Sequence, residues 1–369
     1  MTGGWGDLAP MDVAGRLPRL RAALAGAGCD ALLVTHLTNV RYLTGFTGSA
    51  GTVVVGQEGA VLLTDGRYEE QAAGEVTAAG VAVEVVVGRT VAAQREELQR
   101  RLAELGRVGL EAEQVSWAEQ RRYAELLPAE LVATDGLVES LRAVKDPGEV
   151  ARIEAACAIA DDALAAVLPA LDEGPTEAGF AAMLEAEMRR RGADDISFAT
   201  IVASGPNASR PHHQPGDRAV ERGDLVVIDF GALVDGYHSD MTRTVPVGGL
   251  EALDDTARRM VTVVTAAQAA GVAAVRAGGA VSAVDAACRA VIDEAGWGDA
   301  FVHGTGHGVG LDIHEPPGVN GTSTATLADG HVITVEPGVY LPGHGGVRVE
   351  DTVVVTATGC RPLTCAPKS

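Results

Sequence analysis

Aromatic residues make up only 4% of this 369-residue chain, and Lys and Arg number 29 against 50 Asp and Glu. Few aromatics imply an aliphatic core, for which a hydrophobic content of 47% is ample. A formal charge of −21 repels polyanions, which argues against a nucleic-acid partner. Long apolar runs are missing too. No window approaches the ~20 uninterrupted apolar residues of a membrane span, and the Ala-rich stretch 261–275 is broken by Thr, Gln and Gly. Met-Thr-Gly-Gly-Trp-Gly-Asp at the start has no basic residue and no apolar segment, so no secretory leader is expected. Cysteines are five, odd in number, without a Cys-x-x-Cys pair. That fits reduced thiols in a cytoplasmic protein.

The length favours two domains. Residues 1–140 alternate helical patterns (13–27, 67–79, 91–105) with strand patterns (31–35, 52–55, 60–64, 81–87, 108–110), the signature of an α/β domain. Asp135 to Gly148 reads as a hinge, and Asp146-Pro147 as a helix start. Residues 141–369 read as an α+β domain containing an internal repeat. Two helices (149–171, 176–191) precede strands from 198, and two more (254–276, 281–294) precede strands from 300. Gly174 and Gly278 precede the second helix of each half, and His212 and His314 precede a strand pair in each. Such a duplication brings its two hairpins together across a pseudo-twofold axis.

Those hairpins carry unusual residues. Asp229 and Glu336 interrupt the apolar runs Leu225–Ile228 and Val332–Val335, and a buried carboxylate requires a compensating charge. The Asp-Gly at 235–236 signals a turn, and a hairpin centred between Val234 and Asp235 sets Asp229 opposite Asp240. A loop centred on Gly343 likewise sets Glu336 opposite Glu350. Opposed residues share a face with Cβ atoms about 5 Å apart. With His307, in Gly-Thr-Gly-His307-Gly-Val-Gly, these are four carboxylates and an imidazole, a donor set for two hard divalent cations that activate a water. Oxygen-rich ligation favours manganese, with cobalt, zinc and iron as alternatives. No Lys-Ser/Thr follows the glycine-rich stretch, which excludes a phosphate loop. His36, His213, His238, His331 and His344 carry no such signal. His303 and His314 flank His307 and are suited to holding an oxyanion or protonating a leaving amine. Arg348, two residues before Glu350, is placed to orient a carboxylate.

These frames resemble the Xaa-Pro peptidases, the prolidase and aminopeptidase P group of pita-bread metallopeptidases. Leu33 to Ser49 is similar to their creatinase-type amino-terminal domain, and Leu141 to Val150 to their inter-domain segment. The spacings of 11 between the Asp residues and 14 between the Glu residues match as well. The resemblance implies that Asp229 binds one metal, His307 the other, that Asp240 and Glu350 bridge, and that Glu336 is both ligand and general base. It implies that His212, chosen over His213 by its distance from Asp229, binds substrate. His303 and His314 match the proline-pocket and transition-state histidines, and Tyr340 and Arg348 match outer site positions. The expected protein is a cytoplasmic, homodimeric exopeptidase acting on small proline-containing peptides, away from nucleic acid and membrane. Arg41 is the one Lys or Arg between Leu33 and Ser49. That is a thin basis for a proline-carboxylate trap, so an Xaa-Pro aminopeptidase is expected ahead of an Xaa-Pro dipeptidase. A methionine aminopeptidase is disfavoured by the long N-terminal domain, and a non-catalytic binding module by the complete ligand set.

Overall fold

The structure, a computed structural model, describes residues 8–368. The leader reading, which rests on residues 1–7, lies outside them. The described chain forms two compact units, residues 11–142 and residues 143–368 with 8–10.

In the first unit, β1 (Ala31–Val34), β2 (Gly51–Gly56), β3 (Ala60–Thr64), β4 (Glu84–Val87), β5 (Arg107–Glu111) and β6 (Glu130–Thr134) form one sheet in the order β4-β3-β2-β1-β5-β6. The central pairs β1–β2 and β2–β3 are antiparallel, while β1–β5, β5–β6 and β3–β4 are parallel. Leu33, Val54, Leu63, Leu98, Leu102 and Leu110 make an aliphatic core on one face. Three helices here were not expected. Leu37–Thr44 lies inside the motif quoted above and stops at Gly45, whose φ of +76° and N–H to the Arg41 carbonyl make a left-handed cap. Trp117–Leu126 has no fully buried residue and sets only the half-buried Tyr123 and Leu126 on the core, but Ser116 and Glu119 form a capping box. Leu137–Ala143 occupies part of the expected hinge. The strand expected from residue 81 starts at Glu84.

The second unit opens with helix Pro147–Val167, capped by Asp146 and Glu149 as the Asp-Pro signal implies. Helices Glu177–Arg190, Asp255–Ala274 and Val281–Glu294 follow. The strands of the first half are β7 (Asp195–Ile196), β8 (Ile201–Ser204), β9 (Leu225–Phe230), β10 (Ala232–Val234), β11 (Tyr237–His238) and β12 (Met241–Pro246). Those of the second are β13 (Gly306–Gly308), β14 (Glu315–Val319), β15 (Val332–Val335), β16 (Gly338–Leu341), β17 (Gly345–Arg348), β18 (Asp351–Thr356) and β19 (Gly359–Pro362). The duplication shows in the ladders. β8-β9-β12 with the tip β10–β11 has the same plan as β13-β15-β18 with the tip β16–β17. Each half packs helices on its own core, around Phe180, Leu184 and Ile228 in one and Met260, Val264, Ile292 and Val353 in the other. Each such side chain contributes about 1.5–3 kcal/mol by burial.

The two sheets meet along β12. Thr244 Oγ1 donates to the Arg348 carbonyl at 2.7 Å and accepts its N–H at 3.0 Å. The Glu350 N–H donates to the Thr242 carbonyl at 3.1 Å, and Thr352 Oγ1 to the Asp240 carbonyl at 2.8 Å. Arg243, 2% exposed, spans the seam from behind, donating to the carbonyls of Thr242 and Glu350 and to Asp351. The seam sets both hairpins side by side.

Candidate metal centre and substrate cavity

The first hairpin differs in register from the expectation. Asp229 pairs with Thr242, and the turn is centred between Asp235 and Gly236. Both central residues have positive φ, +46° and +74°, as a type I′ turn requires, and Val234 is β-branched and unsuited to that conformation. The shift is two residues along the partner strand, so Asp240 keeps its face and lies one step diagonally from Asp229. In the second hairpin the expected register is present. Val335 pairs with Asp351 and Gly338 with Arg348, which leaves Glu336 and Glu350 facing each other across the gap between the two ladders.

One oxygen each of Asp229, Asp240 and Glu350 lies within 4.8 Å of the others. Asp240 and Glu350 are buried, at 5% and 1% exposure. At an effective dielectric of about 20, each such pair of charges repels by roughly 3 kcal/mol. Burial, then the neighbouring carboxylates, pushes Asp240 and Glu350 well above the ordinary range. Burial also lifts Glu336 to about 7, with Arg348 opposing and Asp229 adding to the rise. Two oxygens in this cluster, Asp229 Oδ1 and Glu350 Oε1, are buried without a hydrogen-bond donor. Their partners on the other oxygen are Arg348 (2.6 Å) and Thr242 Oγ1 (2.7 Å).

His307 completes the set. Its Nδ1 faces the Gly308 carbonyl at 3.0 Å and so carries the proton, which leaves Nε2 as a lone pair. That lone pair faces Asp240 Oδ2 at 3.4 Å and Glu336 Oε1 at 3.5 Å. Burial lowers the His307 pKa, which keeps the ring neutral. A lone pair aimed at two carboxylates, beside two orphaned carboxylate oxygens, is a cradle for cations. The donors therefore fit the expected divalent metals. The glycines around His307 serve close strand packing. A Cβ on Gly306 would lie 2.2 Å from the Thr334 carbonyl oxygen, and one on Gly308 2.3 Å from that of Pro316.

A cavity of about 280 Å³ opens over this cluster, lined by the five residues above with His212, His303, His314, Arg348, Phe198, Ile201 and Ile313 among others. His212 faces it, whereas the neighbouring His213 turns to Glu177 at 2.8 Å. Both His303 nitrogens are engaged, Nδ1 with the Gly304 carbonyl at 2.7 Å and Nε2 with the Tyr340 hydroxyl at 2.9 Å. Burial brings His303 down to about 4, so it is neutral near pH 7 and accepts the hydroxyl proton of Tyr340. The Tyr340 oxygen in turn accepts from Arg348 at 2.7 Å. Tyr340 is thus a link between His303 and Arg348. His314 stands edge-on to His307, with ring centroids 4.4 Å apart, and is exposed. All ten sequence-derived residues therefore meet in one place. The supports were not foreseen: Thr242, Thr334, Arg243, Glu177, and the Asp285–Arg289 pair that holds the Thr305 hydroxyl (2.8 Å) and the His303 carbonyl (2.6 Å). Asp285 and Glu177 sit in helices as single buried acids.

Residues 151–357 match metallopeptidase family M24, and residues 16–144 match the creatinase/prolidase N-terminal domain. The chain belongs to metallopeptidase family M24 and is a hydrolase. An uncharacterised peptidase of Bacillus subtilis, YqhT, is 42% identical over 96% of this chain and 98% of its own. A solved Xaa-Pro dipeptidase from Bacillus anthracis superposes with a TM-score of 0.92 at 38% identity, covering 97% of this chain and 99% of the other. An X-Pro aminopeptidase from Thermotoga maritima does so at 0.85 and 34%, covering 96% and 98%. The two-domain pita-bread architecture expected from sequence is the one these relatives share.

Proposed function

We propose that this M24 metallopeptidase is an Xaa-Pro exopeptidase that removes the residue preceding proline, with aminopeptidase activity dominant and dipeptidase activity alongside. The cluster of Asp229, Asp240, Glu350, Glu336 and His307, with its orphaned oxygens and bare Nε2, carries the reading. Relatives named Xaa-Pro dipeptidase and X-Pro aminopeptidase supply the substrate class. We assign two divalent ions to the site, manganese by the oxygen-rich donors, which Asp229, Asp240, His307, Glu336 and Glu350 would hold, with Asp240 and Glu350 as ligands that would serve both. When bound, they supply Lewis acidity and a water acidic enough to ionise near neutral pH. Glu336, beside His307 Nε2 at 3.5 Å, would hold one of the ions and serve as the general base toward that water. His314, free at the cavity wall, meets the developing oxyanion or the departing proline nitrogen. His212 holds the peptide from the opposite loop, and the Arg348–Tyr340–His303 chain fixes the wall between them. An X-Pro bond has no N–H, and a site built on walls and carbonyl polarisation serves it.

The choice of aminopeptidase rests on charge. Among the described residues lining the cavity, the one Lys or Arg is Arg348, and its guanidinium is committed to Asp229, Thr242, Tyr340 and the Pro211 carbonyl. Among the described residues, no uncommitted Lys or Arg lines the cavity to capture a proline carboxylate. Comparing kcat/KM on Ala-Pro with Ala-Pro-Ala tests this: the tripeptide should be cleaved at least as well, and a hundredfold preference for the dipeptide overturns the choice. The reading extends to a homodimer of cytoplasmic chains, supported by five free thiols and by an N-terminal unit with its own core and none of the site residues. Light scattering at micromolar concentration should return twice the chain mass, and a monodisperse monomer contradicts it.

A further inference from the structure

His212 sits on the segment between β8 and β9, which crosses the cavity rim without regular structure after the short turn Gly205–Ser209. Such a segment is ordinarily mobile. Here it is held from both sides. On one side the Pro211 carbonyl accepts from Arg348 Nη1 at 3.3 Å, and the same guanidinium holds Asp229 at 2.6 Å. On the other, five donors converge on a single carboxylate, that of Glu177, whose side chain is 0% exposed. Its Oε1 accepts from the Ser204 N–H (2.8 Å), the Ser204 hydroxyl (2.7 Å) and Asn207 Nδ2 (3.0 Å). Its Oε2 takes His213 Nε2 (2.8 Å) and the Gly216 N–H (3.2 Å). The anchors therefore fall on residues 211 and 213, immediately before and after His212.

We propose that Glu177 and His213 are positioning residues which, with Arg348, clamp the chain on either side of His212 and hold its imidazole against the substrate. The proposal rests on the reading of His212 as a substrate-facing group. The bonding suits a clamp rather than a solvated contact. Burial alone raises the Glu177 pKa, yet the bonds from Asn207, Ser204 and His213 outweigh it and bring the group down to about 2. It is thus an anion throughout the working range, making charge-assisted bonds. Since the folded-state pKa is depressed, that stabilisation is fully present above the usual carboxylate range and is lost as pH falls towards 2. His213, the residue next to His212, is tied to this anion by its own side chain. Removing it leaves a buried acceptor short of a donor and a loop free to shift, and a displacement near 1 Å can cost about 100-fold in rate.

The experiment is a double-mutant cycle on the metal-loaded full chain with Ala-Pro-Ala as substrate. His213→Ala should lower kcat/KM by about 10- to 100-fold with metal content unchanged. His213→Gln, whose amide N–H still reaches Glu177, should recover to within a few-fold of wild type. In a His212→Ala background, His213→Ala should cost less than about twofold, because nothing remains to position. Equal losses in both backgrounds, or no loss in either, overturn the clamp. Glu177→Gln repeats the cycle should His213→Ala not fold. A second readout separates this proposal from the peptidase reading. In protein labelled with ¹³C-histidine, the His212 Cε1–H signal should be single and sharp in wild type and His213→Gln, and split or broadened in His213→Ala. A wild type that cleaves no Xaa-Pro peptide refutes the peptidase reading. A His212 signal unchanged in His213→Ala refutes the clamp, whatever the turnover.

Discussion

Asp240→Ala and Glu350→Ala should each weaken metal binding on the order of 100-fold or more, above the usual loss from an outer-sphere partner, and abolish turnover. Asp229→Ala should do less. The reason lies in how each carboxylate is committed. Asp229 has one oxygen paired with the Arg348 cation at 2.6 Å, whereas the bonded oxygen of Glu350 has only the neutral Thr242 hydroxyl at 2.7 Å. Asp240 and Glu350 are the deepest members, each within reach of several other ligands, and burial with mutual repulsion pushes both well up. By the proposed assignment, removing either would delete a shared donor, whereas removing Asp229 would delete one side of the site. Metal content by elemental analysis after gel filtration, beside kcat, measures both effects. Equal metal content in all three variants would contradict the shared-ligand assignment.

The histidines should divide by function. His307→Ala should lose metal, because its Nε2 faces Asp240 and Glu336. His314→Ala should keep metal and lower kcat by roughly 100-fold, as expected for a group meeting charge that develops in the transition state. His303→Ala should also keep metal, with a smaller loss of about 10-fold. Its nitrogens are spent on Gly304 and Tyr340, so its removal frees the Tyr340 hydroxyl and disturbs Arg348 rather than subtracting a direct contact. Because His303 is already neutral well above pH 4, its removal should leave the acid limb of the kcat profile where it is. Loss of metal in His303→Ala or His314→Ala comparable to that in His307→Ala would reverse these roles.

What was legible in the sequence follows from where each constraint acts. Glu336 and Glu350 could be paired by counting, because the three-residue loop Pro342–His344 is centred on Gly343, midway between them, and Gly343 (φ +87°) takes the turn. Asp229 and Asp240 were misaligned by two, because the choice between Val234-Asp235 and Asp235-Gly236 as the turn centre depends on which pair tolerates positive φ. The error was harmless to the site because a shift of two preserves the face. The helix Trp117–Leu126 left little periodic trace, since only Tyr123 and Leu126 pack on the core and both stay half-buried, and its cap spoke for it. The supports were hidden for another reason. Thr242 is 108 residues from Glu350, Arg243 is 108 from Asp351, and Glu177 is 36 from His213. Such pairings belong to the tertiary fold and have no local pattern. His213 shows this most plainly: two adjacent histidines look alike in sequence, and only the buried Glu177 separates the anchor from the residue it presents.

The most direct test of the account is a metal titration of chelator-stripped protein, with turnover of Ala-Pro-Ala followed at each addition of manganese. The account predicts no turnover without metal, a rise that saturates at two ions per chain, and no cleavage of Ala-Ala-Ala under the same conditions. Full turnover of Ala-Pro-Ala in excess chelator, with no metal bound, would contradict it.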